Sequence, residues 1–307
     1  VPAALHLSDL YELPRLAAQT AAAWTIPESF WVPLSRSFGR LYAVTHPRQT
    51  RANARCIGNA LDGSGAPGSA RQYAVDYWSN RYLERFQYLK AWRPGGWRPE
   101  IHVRGRDHAA AATRAGHGII FWSGKFAFSA LVGKIALHRL GLAVAHFSRP
   151  YHGFSTSRFG IRYLNAVRRQ PESWYLDERL MVPEHRTRDA LEGLQRRLRA
   201  GGMVSFTIGG HGRRRDRAPL LGAAVELATG PFTLARRTGA VVLPVSTLRT
   251  GPRCYTVDIG PPLADGRAVD GAPDLSSLTA ALAPHILRDP GQWRGWRYVL
   301  DEGRGQS

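Results

Sequence analysis

Residues 116–148 read GHGIIFWSGKFAFSALVGKIALHRLGLAVAHFS, and the pattern of this stretch decides the fold class. Gly118-Ile119-Ile120-Phe121-Trp122 is a short apolar run bounded by glycines, Phe126 to Leu140 carries helical spacing, and Leu142 to Phe147 is strand-like again. That is a β-α-β unit. The alternation continues downstream with strands at Met203 to Ile208, Ala240 to Val245 and Tyr255 to Ile259, and a helix at Thr229 to Thr238. A helix starting at Pro183 puts Ala190, Leu191, Leu194 and Leu198 on one face and Arg186, Arg188, Arg196, Arg197 and Arg199 on the other, and Gly201-Gly202 closes it. Arg158 to Arg169 reads as a further amphipathic helix with Phe159, Ile161 and Leu164 inward. Strands alternating with helices predict an α/β protein with a mostly parallel central sheet, flanked by helices, and ligands at the C-terminal ends of its strands.

Upstream the pattern is helical. Leu16 to Trp24 and the Phe30-Trp31-Val32 segment sit between Pro14, Pro27 and Pro33, and the loop 62–69 precedes a helix on which Tyr73, Tyr77, Tyr82, Leu83, Phe86 and Leu89 recur up to Trp92. The expected organisation is a helical N-terminal section over 1–100, packed on the core, and an α/β core over 101–307. Aromatic residues interleaved with Arg36, Arg40 and Arg48 also suit the headgroup region of a membrane.

Composition narrows the function classes. Forty-four per cent hydrophobic and 21% charged residues over 307 positions suit a folded globular chain, and no apolar run approaches the length of a bilayer-spanning helix. An integral membrane bundle is excluded. Lys and Arg number 42 against 23 acids, a net +19 that calls for an anionic partner. No helix-turn-helix, zinc, RNP or KH signature is present, so sequence-specific nucleic-acid binding is not expected. Cys56 and Cys254 are isolated and form no Cys/His cluster, and Walker and GxGxxG patterns are missing, so neither a metal nor a nucleotide cofactor is expected. No basic segment followed by an apolar one marks a signal peptide.

Three strand ends gather the candidate site residues. The first strand runs into Ser123-Gly124-Lys125, the second into Ser148-Arg149-Pro150, and the third into Gly209-Gly210-His211-Gly212 followed by Arg213, Arg214, Arg215 and Arg217. Exposed amides and guanidinium groups of this kind hold phosphate. For the arginine run a solvated turn is the plain reading, and contact with lipid headgroups or a phosphopantetheine carrier the functional one.

The order of these pieces resembles the late acyltransferases of lipid A biosynthesis and the phosphatidylinositol-mannoside acyltransferases, within the lysophospholipid acyltransferase-like superfamily. The resemblance rests on the stretch Gly202 to Pro262, with Pro219 to Gly222, Thr229-Gly230-Pro231, Leu234-Ala235, Gly239-Ala240 and Pro244. Gly118 to Gly124, Arg149-Pro150 and the ending Asp289-Pro290-Gly291-Gln292-Trp293 add to it. It implies a bacterial protein of lipid biosynthesis, peripheral on the cytoplasmic face of the inner membrane. Such a protein moves a long-chain acyl group from acyl carrier protein or acyl-CoA, as co-substrate, to a lipid or small-molecule acceptor at an anionic membrane surface. In that family a His, four residues, and an Asp or Glu form the catalytic dyad, the His taking the acceptor hydroxyl proton.

Here Lys125 and Ala130 stand at those positions, so the dyad is degenerate. Lys125 can serve as a base or nucleophile if burial lowers its pKa, or as a cation that polarises a carbonyl. Alternatively His211, or His146 or His117, supplies the base. In either case Arg149 grips a phosphate or carboxylate and amides near Gly124 hold the oxyanion. The remaining alternatives are a solvated Lys125 in an inactive site, and a non-catalytic relative that binds acyl chains or a partner enzyme.

Overall fold

Gly118 to Trp122 and Ala240 to Val245 are short runs apolar on both faces, which a sheet covered by helices on both sides accommodates. The computed structural model, which describes residues 3–148, 153–182, 187–209, 214–263 and 275–300, has that architecture. Its chain begins with four helices, α1 (Leu7–Thr25), α2 (Trp31–Thr45), α3 (Pro47–Leu61) and α4 (Ala70–Ala91). There follow β1 (Glu100–Arg104), α5 (Arg106–Arg114), β2 (Ile119–Ser123), α6 (Lys134–Arg139), β3 (Val144–Ser148), α7 (Ala166–Ser173) and β4 (Glu178–Met181). The remainder is α8 (Thr187–Arg199), β5 (Met203–Thr207), β6 (Arg215–Leu220), β7 (Ala223–Ala228), α9 (Gly230–Thr238), β8 (Val241–Arg249), β9 (Cys254–Ile259) and α10 (Leu275–Arg288).

The main sheet has the order β1-β9-β8-β2-β5-β3-β4. β8, β2, β5, β3 and β4 run parallel, β9 turns back antiparallel to β8, and β1 lies parallel to β9. The C-terminal ends of β8, β2, β5 and β3 therefore open at one edge, as the sequence predicts. Alternate residues of β2 feed two cores: Ile120 and Trp122 pack with α8, α9 and α10, and Ile119 and Phe121 with α4, α5 and α6. α4 reaches both cores, with Tyr73 and Ala74 in the first and Leu83, Phe86, Tyr88 and Leu89 in the second. α8 ends at Gly201, whose φ of +76° is the left-handed turn that a helix C-terminus favours.

Four details differ from the sequence reading. β4 is an edge strand of mixed polarity, Glu178-Arg179-Leu180-Met181, with no apolar run to announce it. Arg215 and Arg217 belong to a strand, not a turn: β6 pairs antiparallel with β7 as a separate hairpin closed at Leu221-Gly222. The helix expected from Phe126 begins later, as a π turn over Ser129–Gly133 leading into α6, because Phe126 forms a β-bridge with Trp293 and the Ala127 amide donates to the Gln292 carbonyl at 2.7 Å. The helix expected over 158–169 is broken into a π turn, Gly160–Leu164, and α7, since the Asn165 carboxamide oxygen accepts from the Phe154 and Ser155 amides. Pro183 and Arg186 lie outside the described residues.

Candidate active site

Lys125 stands two residues beyond β2, at the edge where the parallel strands end. The backbone there is fixed on both sides. The Gly124 amide donates to the Val245 carbonyl at 2.7 Å, and the Lys125 carbonyl accepts from the Arg294 amide at 2.7 Å. A Cβ on Gly124 would come within 2.6 Å of the Phe126 ring and 3.0 Å of Leu282, so only glycine fits between them. The Gly124 N–H is thus spent on the sheet and is not a free oxyanion donor. The Lys125 N–H makes no hydrogen bond among the described residues.

The Lys125 side chain is partly buried. Its Nζ donates to the Tyr298 hydroxyl at 2.7 Å and lies 5.0 Å from the centre of that ring, and Arg297 donates to the same hydroxyl at 2.7 Å. Burial, reinforced by the positive charges of Arg297, Arg294 and Arg168, lowers the amine to about 7, with Glu84 opposing. The neutral amine is therefore much easier to reach than for an exposed lysine.

Beneath it lies a buried charge network built by α4, α6, α7 and β4. Glu84 receives Arg168 at 2.6 Å and also Arg294. Glu172, fully buried, receives Lys134 at 2.9 Å, Arg179 at 2.9 Å and the Tyr88 hydroxyl at 2.6 Å. Arg179 also donates to Ser148 Oγ at the end of β3. Burial works against the charge of Arg168, but Glu84, Tyr88 and Glu172 outweigh it and hold Arg168 above the ordinary guanidinium range. Lys134 falls to about 8 through burial, in spite of Glu172. Its Nζ donates as well to the carbonyl of Ala130, the residue at the position where the resemblance expects an acid, at 2.6 Å. Cations outnumber carboxylates in this network, so the site edge favours an anion.

Of the other sequence candidates, Arg149, His211 and Arg213 lie outside the described residues. Arg214 is exposed, and its carbonyl accepts from the Thr229 amide at 3.2 Å. Arg215 pairs across the hairpin with Glu226 at 2.8 Å in an exposed bridge. His146 is buried on β3 with Nδ1 2.8 Å from Ser205 Oγ. His117 precedes β2 and so sits at the opposite edge of the sheet from Lys125. Sequence reasoning missed Glu84, Tyr88, Arg168, Glu172, Arg294 and Tyr298. For Glu84 a signal existed, because it shares a helical face with Tyr77 and Tyr88, where a solvated acid is out of place.

On α1, Asp9, Leu16 and Ala23 point inward, whereas Leu7 (68% exposed) and Tyr11 (69%) lie outward with Leu10 and Leu13. Among the described residues no helix is long and apolar enough to cross a membrane. No protein-family model matches the chain, and no curated protein does either.

Proposed function

We propose that this chain is a peripheral acyltransferase-like protein that moves a long-chain acyl group from an acyl carrier protein or CoA thioester to a hydroxyl of a lipid or small-molecule acceptor. Lys125 is the base in place of the family's histidine. The observation that carries this reading is the partly buried amine just beyond the end of β2, held by Tyr298 and set among Arg297, Arg294 and Arg168, a setting that lowers its pKa to about 7. As a neutral amine Lys125 takes the acceptor hydroxyl proton, and the oxygen attacks the thioester carbonyl. The new C–O bond forms, the C–S bond breaks, and the thiolate leaves with the proton returned from Lys125. The Lys125 N–H, which makes no hydrogen bond among the described residues, is the backbone donor offered to the oxyanion, and the cationic network attracts the phosphates of the carrier or acceptor. Peripheral attachment to an anionic membrane, at the cytoplasmic face that the resemblance implies, is supported by the apolar outer face of α1 and the net +19 charge.

A second reading, a non-catalytic protein that retains acyl chains or a partner enzyme, draws on Tyr298. Its hydroxyl already engages Lys125 and Arg297, and Ala130 leaves Lys125 without an orienting acid. Labelled acyl-CoA and acyl-carrier thioesters, incubated with lipid and small-molecule acceptors, separate the two. Transfer that falls at least a hundredfold in Lys125→Ala supports the enzyme, and tight acyl retention without transfer supports the binding protein.

A further inference from the structure

A small cleft that Lys125 does not line is formed where α2, α4, the end of β8 and the turn after α10 meet. Its cavity of about 70 Å³ is lined by Ser35, Arg36, Asp76, Ser79, Arg249 and Asp289, among others. Two acids and two guanidinium groups converge there, yet among the described residues no ion pair joins either arginine to either aspartate. Asp76 Oδ1 accepts from the Gln72 carboxamide at 3.1 Å and Asp289 Oδ2 from the Gln292 carboxamide at 2.6 Å. Asp76 Oδ2 and Asp289 Oδ1 accept nothing from the described residues. Arg249 donates from one terminal nitrogen to the Gly251 carbonyl at 3.3 Å, while its Nε has no partner. The Ser35 hydroxyl, on a side chain 1% exposed, also has none.

We infer that this cleft binds a small zwitterion, with an ammonium group toward Asp76 and Asp289 and a carboxylate or phosphate toward Arg36 and Arg249. The chemistry selects that class. A simple cation would meet the two guanidinium groups and a simple anion the two carboxylates, whereas a molecule with both charges a few bonds apart satisfies both pairs. Size selects it too, since the cavity has room for about five waters, which suits an amino acid or an amino-alcohol phosphate and not a nucleotide. Burial raises the Asp76 carboxyl; the Gln72 hydrogen bond and the charges of Arg36 and Arg249 oppose the rise and the charge of Asp289 adds to it, so a cationic group at Asp76 is favoured. The inference is independent of acyl transfer at Lys125.

Isothermal titration of the full chain with alanine, serine and O-phosphoethanolamine, alongside ethylammonium, acetate and inorganic phosphate, tests it. At least one zwitterion is expected to bind ten times more tightly than any singly charged probe, and Asp76→Asn and Arg36→Gln each to weaken that binding at least tenfold. Arg36 is exposed, so its variant keeps the core intact, and circular dichroism verifies both folds. Zwitterions that bind no better than the charged fragments, or unchanged affinity in a folded Arg36→Gln variant, would overturn the inference.

Discussion

The network around Glu172 and the cleft around Asp76 use the same ingredients to opposite ends. In the first, two carboxylates are each gripped by two or more donors at hydrogen-bond distance, and three of the four cations paired with Glu172 and Glu84 lie far from them in the chain. In the second, acids and arginines share one cavity with no ion pair between them among the described residues. Buried charge that is fully paired fixes the relative positions of helices and strands. Charge that is left unpaired beside a cavity is free to meet a ligand. Lys125 stands between these extremes: it is held by Tyr298, but burial, with the neighbouring arginines, keeps its amine easy to deprotonate.

The largest effect expected from this contrast is at Glu172. Glu172→Ala leaves Lys134 and Arg179 buried and facing each other, and urea denaturation at neutral pH should show a loss of about 3–5 kcal/mol. A loss below about 1 kcal/mol would mean that the network does not hold the fold. Tyr88→Phe removes one hydrogen bond to the same carboxylate and should cost about 1.5–3 kcal/mol in the same assay.

Lys125 adds a test with a direction in pH. Its folded amine titrates near 7, below the ordinary lysine value of 10.5, so the unfolded chain binds the proton more tightly between those two values. Wild-type stability therefore gains with rising pH across that window, and the burial penalty is fully present below pH 7. Relative to wild type, Lys125→Met should be most stabilised near pH 6, with the advantage shrinking toward pH 10. An advantage independent of pH would contradict the lowered amine. At the small end, Arg215→Ala removes an exposed pair and should change stability by about 0.5 kcal/mol or less.

Much of the sheet was legible because β2, β5 and β8 are apolar runs whose position between glycines and helices leaves them few alternatives. β4 and the β6–β7 hairpin were not, since four residues of mixed charge at an edge, or an Arg-Asp-Arg start, carry no strand signal of their own. Pairing partners supply what sequence pattern does not. The same holds at the site. Lys125 could be picked out from its place at a strand end, but its pKa is lowered first by burial and then by the charges at positions 297, 294 and 168, and contacts at that separation leave no local pattern. Glu84 and Glu172 lie on helices, where an acid is ordinarily solvated, and their burial follows only from how α4 and α7 pack.

The most direct test of the central claim is the pH dependence of acyl transfer from a labelled thioester, measured for wild type and Lys125→Ala in parallel. The account predicts transfer that rises through an apparent pKa near 7 in wild type and falls at least a hundredfold in the variant. Transfer by Lys125→Ala at the wild-type rate, with the same profile, would contradict it.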